Sequence, residues 1–338
     1  PVYDLKPERT NSFEVGMNMR FLKNFELDVT YYNAKTMNQT FNPELPVGEY
    51  ARIYIQTGAV RNQGLELALN YNNTWKDFTW NTGVTYSMNK NKILTLADNA
   101  INPITREKFS ISSLNMGGLG STRFILKEGG SMGDIYSLMD LKRDANGAVY
   151  IDENNSVVTE SLEANNYIKL GSVLPKGNLA WRNNFSWKNI NVAFLVSARL
   201  GGVVFSRTQA VLDNFGVSEA SAAARDKGYV SVNGNDRVNP EGWYSVVAGG
   251  TAVPQYYIYS ATNIRLQEAS IGYTIPRKWL GNVCDIKVSL IGRNLWMIYN
   301  KAPFDPESVA STDNFYQGID YFMMPSLRNI GFNLSFKF

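Results

Sequence analysis

The chain has 338 residues, a net charge of +3, no histidine and a single cysteine, Cys284. That set excludes an internal disulfide, a Cys/His metal site and any catalytic triad built on histidine. Scattered basic residues at so low a net charge leave no electrostatic footprint for nucleic acid. With 44% apolar and 19% charged residues, gross disorder is excluded as well.

No run of about 18 apolar residues exists, which rules out a transmembrane helix. The richest stretch, residues 192–205, is broken by Ser197, Arg199 and two glycines. A transmembrane barrel is not ruled out, because its strands alternate and give weak hydropathy. The chain opens on Pro1 with no signal peptide, which predicts a mature or truncated form.

Nine segments carry the two-residue period of a strand with one oily and one polar face. The first runs through Phe13, Val15, Met17, Met19 and Phe21, with Glu14 and Arg20 opposite. After Lys23-Asn24 comes Phe25, Leu27, Val29 and Tyr31, with Glu26 and Asp28 opposite. The third is Leu65 to Tyr71, with Glu66 on its polar side, and the fourth runs from Phe78 to Tyr86. The fifth, Leu179 to Trp187, is joined through Lys188-Asn189 to the sixth, residues 190–198.

The seventh changes parity between Leu266 and Ala269, and one inserted residue near Gln267-Glu268 would restore its facing. The eighth is Ile286, Val288 and Leu290, just after Cys284, which reads as a small half-buried residue. The ninth alternates from Ile330 to Phe338, and Pro276 and Pro325 stand at strand ends where a missing N–H is tolerated.

Short connections (Lys23-Asn24, residues 72–77, Lys188-Asn189 and residues 276–284) alternate with long ones near 33–63, 90–177, 201–263 and 299–326. Structureless loops that long are uncommon in a compact soluble domain, whereas outer-membrane barrels pair short periplasmic turns with long extracellular loops. The fold class expected is therefore all-β, an antiparallel transmembrane β-barrel. With the short turns in the periplasm, the first strand descends from outside. Nine such strands cannot close a barrel of even strand number, so upstream strands are expected to be missing. Residues 217–225 (VSEASAAAR) predict a short helix, and residues 140–151 a hairpin turning at Asn146-Gly147.

Several short motifs then coincide. Leu5-Lys6-Pro7-Glu8 with Ser12-Phe13-Glu14-Val15-Gly16, Asn62-Gln63-Gly64-Leu65-Glu66, and Gly292-Arg293-Asn294-Leu295 followed by Asp305-Pro306-Glu307 resemble late barrel strands of TonB-dependent outer-membrane receptors. Together with Gly171-Ser172-Val173-Leu174-Pro175 and Pro325-Ser326-Leu327-Arg328, they resemble the SusC/RagA branch, typical of Bacteroidota. The resemblance implies that residues 1–338 are the carboxy-terminal strands of a 22-stranded barrel whose plug and TonB box are absent here. It also implies a Gram-negative outer membrane, import of oligosaccharide or peptide energised through TonB, and a SusD-like surface lipoprotein as lid. A dimer of transporter–lid pairs is a further assembly it allows.

On this reading the expected substrate contacts are loop aromatics, Trp243, Tyr244, Tyr256, Tyr257, Phe315 and Tyr316, because sugars and peptide side chains stack on rings. Packing within the loops, or an outer aromatic girdle led by Tyr256 and Tyr259, competes with that role. Glu14, Arg20, Glu26, Asp28, Glu66, Arg182, Arg265, Lys287 and Arg293 are expected to face the lumen, paired with one another or with the plug. No cofactor is expected. The acidic runs at Asp144 and Asp152 bring calcium into view, but their spacing departs from a calcium loop and lacks its glutamate at position twelve. Three other classes stay open: a secreted β-rich glycan-binding protein, a glycosidase using two carboxylates, and a passive porin.

Overall fold

The computed structural model describes residues 6–41, 55–101, 106–250, 252–281, 283–313 and 316–337. Its framework is one antiparallel sheet of nine strands, each paired with its neighbour in chain order. These are β1 (Arg9–Phe21), β2 (Phe25–Phe41), β3 (Ile55–Trp75), β4 (Phe78–Thr95), β5 (Gly177–Trp187), β6 (Ile190–Leu200), β7 (Asn263–Ile275), β8 (Asp285–Asn300) and β9 (Asn329–Lys337). All nine expected strands are present, with β1 and β9 as the two edges of the sheet. Among the described residues no helix is long and apolar enough to cross a membrane.

The register shows why the alternation matters. Met19, Leu27, Leu69, Val84, Trp181, Val196, Leu266 and Trp296 are successive cross-strand partners, one row running from β1 to β8. A one-residue slip anywhere would turn a strand's oily set to the other side. Two rows towards the short turns lies Phe185, Val192, Ile271, Leu290 and Phe332. Much of this face is bare: Val15, Trp187, Ile271, Leu290, Phe332 and Phe336 are all more than half exposed. A soluble sandwich would bury such a face against a second sheet, and no such sheet covers it among the described residues.

The parity change in the seventh strand is a bulge, as expected. Leu195 pairs with Glu268 and Val196 with Leu266, so Gln267 has no partner on β6. Strand β8 is irregular at the same level, with Arg293 opposite Glu268 and Trp296 opposite Leu266.

The short turns gather aromatic rings. Phe21 stacks on Phe25 at 5.3 Å, Phe25 meets Tyr71 at 4.7 Å, Tyr71 meets Trp80 at 5.2 Å and Trp80 stacks on Phe185 at 6.1 Å. Trp75 and Phe78 add a further stacked pair beside the β3–β4 turn. From Trp75 up to Leu65 the strand climbs about 25 Å at a rise of ~3.3 Å per residue and a tilt of ~40°, the height of the apolar band on membrane barrels. These rings form a belt along the short-turn end of the sheet.

Three boundaries differ from expectation. The first turn is residues 22–24, and the β3–β4 turn is only Lys76-Asp77. Strands β2 and β3 run far beyond their apolar stretches, so the connection expected near 33–63 contracts to residues 42–54. The longer connections are folded rather than structureless. Residues 96–176 hold a four-stranded sheet built from Ser113–Leu119, Thr122–Lys127, Asp134–Ser137 and Ile168–Ser172. Residues 201–262 carry α1 (Arg207–Asn214), α2 (Glu219–Lys227) and α3 (Pro240–Val247).

Helix α2 is the expected helix shifted by two residues, because Ser218 caps it by accepting from the Ser221 amide and Gly228 closes it at φ 83°. Strand Val203–Ser206 is then flanked by Ile258–Ser260 and by Ile319–Asp320 from the last connection. Three connections therefore share one core, with Phe124 and Ile135 from the second, Phe205 and Val253 from the third and Ile319 from the fourth.

Placing a charge in the middle of the oily face tests this arrangement. Leu69→Arg is expected to destabilise the folded sheet by roughly 2–4 kcal/mol, and Thr85→Arg on the polar face by far less. Urea unfolding in lipid vesicles reads the difference.

Candidate functional site

The polar face is where charged side chains converge, and the folded connections lie over it. At the level of Thr30, the partners across the sheet are Glu66, Ser87, Asn178 and Arg199. One row below, Ala68, Thr85, Ala180 and Ser197 are small and leave room. The result is a hollow of about 740 Å³ against the wall, into which Asp28, Glu66, Arg199 and Glu307 project. Arg199 anchors its upper edge by donating to the Val173 carbonyl at 2.7 Å. Such a surface offers both carboxylates and a guanidinium to a polar ligand.

The expected lumen residues all sit on this face, in distinct roles. Arg20 pairs with Glu26 at 3.4 Å, and Arg293 donates to Glu268 at 3.0 Å; both pairs are open to water. Asp28 accepts from the Asn18 amide at 3.3 Å. Glu14 stands opposite Tyr32, Arg182 opposite Gly83 and Leu195, and Lys287 between Thr274 and Ser335.

Arg265 is different. It is only 5% exposed. Its guanidinium grips Asp305 through two bonds, 2.9 and 3.2 Å, reaches Glu307 at 2.9 Å, and donates from Nε to Asn263 at 3.1 Å. The Asp305-Pro306-Glu307 segment is thus tied from the last connection onto the wall, and Arg265 is a structural clamp. Sequence reasoning missed Arg199, Asp305 and Glu307 as members of this face. The signal for Arg199 was a lone cation in an otherwise apolar strand.

The loop aromatics separate. Tyr257 is 2% exposed and its hydroxyl donates to the Asp213 carboxylate at 3.0 Å, so it is a core residue and cannot touch a ligand. Burial, then the Asp213 charge, pushes the Tyr257 hydroxyl well above its usual range. Burial likewise pushes the Tyr259 hydroxyl up to about 12. The ring of Tyr259 packs edge-on against Phe304 at 5.4 Å inside the folded connections, so the expected outer girdle at 256–259 does not form. Trp243 is half-buried and meets Tyr256 edge-on at 5.2 Å, with Tyr256 38% exposed.

Tyr244 lines a second hollow, of about 700 Å³, between the three helices, together with Phe215, Arg225 and Glu241. Tyr316 is 45% exposed, and Phe315 lies outside the described residues. At the acidic runs, Asp144 Oδ1 accepts from the Asn146 and Ala148 amides, and Asp152 Oδ1 accepts from Asn154 and Ser156 in the same way. Each carboxylate caps its own turn. Among the described residues no cluster of three or more metal-ligating side chains occurs.

The model of the family described as "TonB dependent receptor-like, beta-barrel" matches residues 1–295. The chain belongs to the TonB-dependent receptors. Two receptors of this family from Formosa agariphila are similar in sequence. TonB-dependent receptor P3 is 26% identical over 99% of this chain and 34% of its own length. TonB-dependent receptor P26 is 27% identical over 98% of this chain and 34% of its own. The chain therefore spans about a third of the curated receptors it matches. In fold it is similar to the structure titled "RagAB peptide importer in the 'closed-closed' state", with a TM-score of 0.71 at 16% identity over 98% of this chain and 35% of that one. The receptor family accounts for the bare oily face that a soluble glycosidase or lectin would have covered.

The Arg265 clamp makes a prediction about acid stability. Burial pushes the Asp305 carboxyl up, but hydrogen bonds from Arg265, Ser326 and the Glu307 amide outweigh it and hold it below the ordinary 3.8. Stability from this group is thus complete above pH 3.8 and is lost as pH falls through the lower folded value. Asp305→Asn is expected to cost about 3 kcal/mol at neutral pH and to flatten the loss of stability below pH ~3.8. Thermal unfolding as a function of pH checks both.

Proposed function

We propose that this protein is the barrel region of an outer-membrane importer of the SusC/RagA branch, taking up oligosaccharide or peptide in a Bacteroidota-like cell. In the proposal, residues 1–338 are its late strands and outer connections, completed by upstream strands and a plug that engages TonB. A SusD-like lipoprotein closes over the outer connections, and transporter–lid pairs assemble as dimers. The protein catalyses no reaction and needs no resident cofactor.

One observation carries this reading: a continuous two-faced sheet whose outer connections fold onto its polar side. A ligand released from above meets Tyr244, Tyr256, Trp243 and Tyr316, then the wall hollow of Asp28, Glu66 and Arg199. Aromatic faces stack on sugars or side chains, and the mixed charges hydrogen-bond to either class. Similarity in fold to a peptide importer makes peptides the first substrates to test.

The outer membrane holds no nucleotide, so work must reach the barrel mechanically through TonB. Growth on defined short peptides or oligosaccharides as sole nutrient tests the proposal in cells carrying the full-length receptor. Deleting TonB is expected to abolish uptake, and continued uptake would indicate a passive pore. With TonB present, Arg199→Ala and Glu66→Ala are each expected to slow uptake by roughly tenfold, the scale of one lost charge-assisted hydrogen bond.

A further inference from the structure

Strands β2, β3 and β4 continue beyond the oily band, and their outward face changes character abruptly. The last row that is apolar in all three strands is Tyr31, Leu65 and Met88. The next is Asn33, Gln63 and Lys90, and the one after is Lys35, Arg61 and Lys92. In that last row Lys35 pairs directly with Arg61, and Arg61 directly with Lys92. Like charges opposite one another destabilise a sheet, so three adjacent cations call for a compensating anion.

Among the described residues none is supplied locally. From β1 to β4 this face contains no acidic residue among the described residues, and none of the three cations has an ion-pair partner there. Lys35, Lys90 and Lys92 are exposed and Arg61 is half-buried. The opposite side of the same segment is closed, because Val60 and Ile93 are buried under the second connection. The cations therefore cannot serve the lumen.

Their height is informative. Four residues beyond Leu65 correspond to about 10 Å above the hydrocarbon edge, at the tilt and rise of a membrane strand. That is the layer of lipid headgroups, continuous with the oily band below.

We infer that Lys35, Arg61 and Lys92, with Lys90 beneath them, form a binding site for a phosphate-bearing lipid headgroup of the outer leaflet. The phosphate lies across the three cations, and the acyl chains lie down the Tyr31, Leu65 and Met88 face. The planar guanidinium of Arg61 at the centre suits two phosphate oxygens, and the flanking lysines add point charges. This rests on the oily face meeting lipid, as proposed above.

The test uses the full-length receptor in detergent, titrated with diphosphorylated lipid A, with the same lipid dephosphorylated, and with inorganic phosphate. The phosphorylated lipid is expected to bind roughly tenfold to a hundredfold more tightly than the dephosphorylated one, with the preference falling as salt rises. The triple variant Lys35→Gln, Arg61→Gln, Lys92→Gln should lose that preference, and Lys35→Arg with Lys92→Arg should keep it. An unchanged preference in the triple variant, or none in the wild type, would overturn the inference. Equal binding of inorganic phosphate alone would overturn the assignment to lipid. Failure of the membrane reading itself would show separately, as a protein that stays in solution without detergent.

Discussion

A strand that crosses hydrocarbon must satisfy every backbone N–H and C=O from its neighbours, since neither lipid nor a side chain can do so in bulk. That requirement fixes the continuous ladder from β1 to β9, and the ladder in turn fixes which side chains share a face. Because facing alternates with each residue, a row such as Leu27, Leu69, Val84 and Trp181 stays oily only if every register is right. Even the bulge at Gln267 obeys this rule, for it resets the parity of β7 so that Ala269 and Ile271 return to the oily side.

The polar side follows from the same ladder. Small residues in one row, Ala68, Thr85, Ala180 and Ser197, open a hollow that the row above rims with Glu66 and Arg199. The connections above are bound together by a common core around Phe124, Phe205 and Ile319, and are tied to the wall where Arg265 holds Asp305 and Glu307. They form a folded cap on a sheet. A buried guanidinium with two carboxylates contributes less to net stability than to position, because desolvating the charges offsets much of their attraction. Its consequence is that the last connection has one place on the wall.

The nine strands were legible because lipid imposes a strict two-residue period, and the bulge was legible because it breaks that period by one. Strand ends were less so. Lys35 and Arg61 lie in strands but above the oily band, where the outward face turns polar and the inner face is buried under a connection, so the two-residue period loses its oily-out sense. Gly64 has a reason only in three dimensions, since a Cβ there would come within 2.5 Å of the Tyr32 hydroxyl. Loop aromatics were the weakest ground. Tyr257 and Tyr256 are adjacent in sequence, yet one is sealed against Asp213 and the other is open, and only the packing of three separate connections decides between them. The carboxylate partners of Arg265 lie about forty residues away, in a connection whose path the sequence does not disclose.

The central claim is that one face of this sheet meets hydrocarbon and the other meets water. Nitroxide labels on single cysteines, introduced in turn along β3 from position 65 to 71 in a Cys284→Ser background and reconstituted in lipid, read this directly by collision with oxygen and with a water-soluble nickel complex. The account predicts strict alternation, with positions 65, 67, 69 and 71 open to oxygen and 66, 68 and 70 open to nickel. Equal accessibility to nickel at neighbouring positions, or no alternation at all, would contradict it.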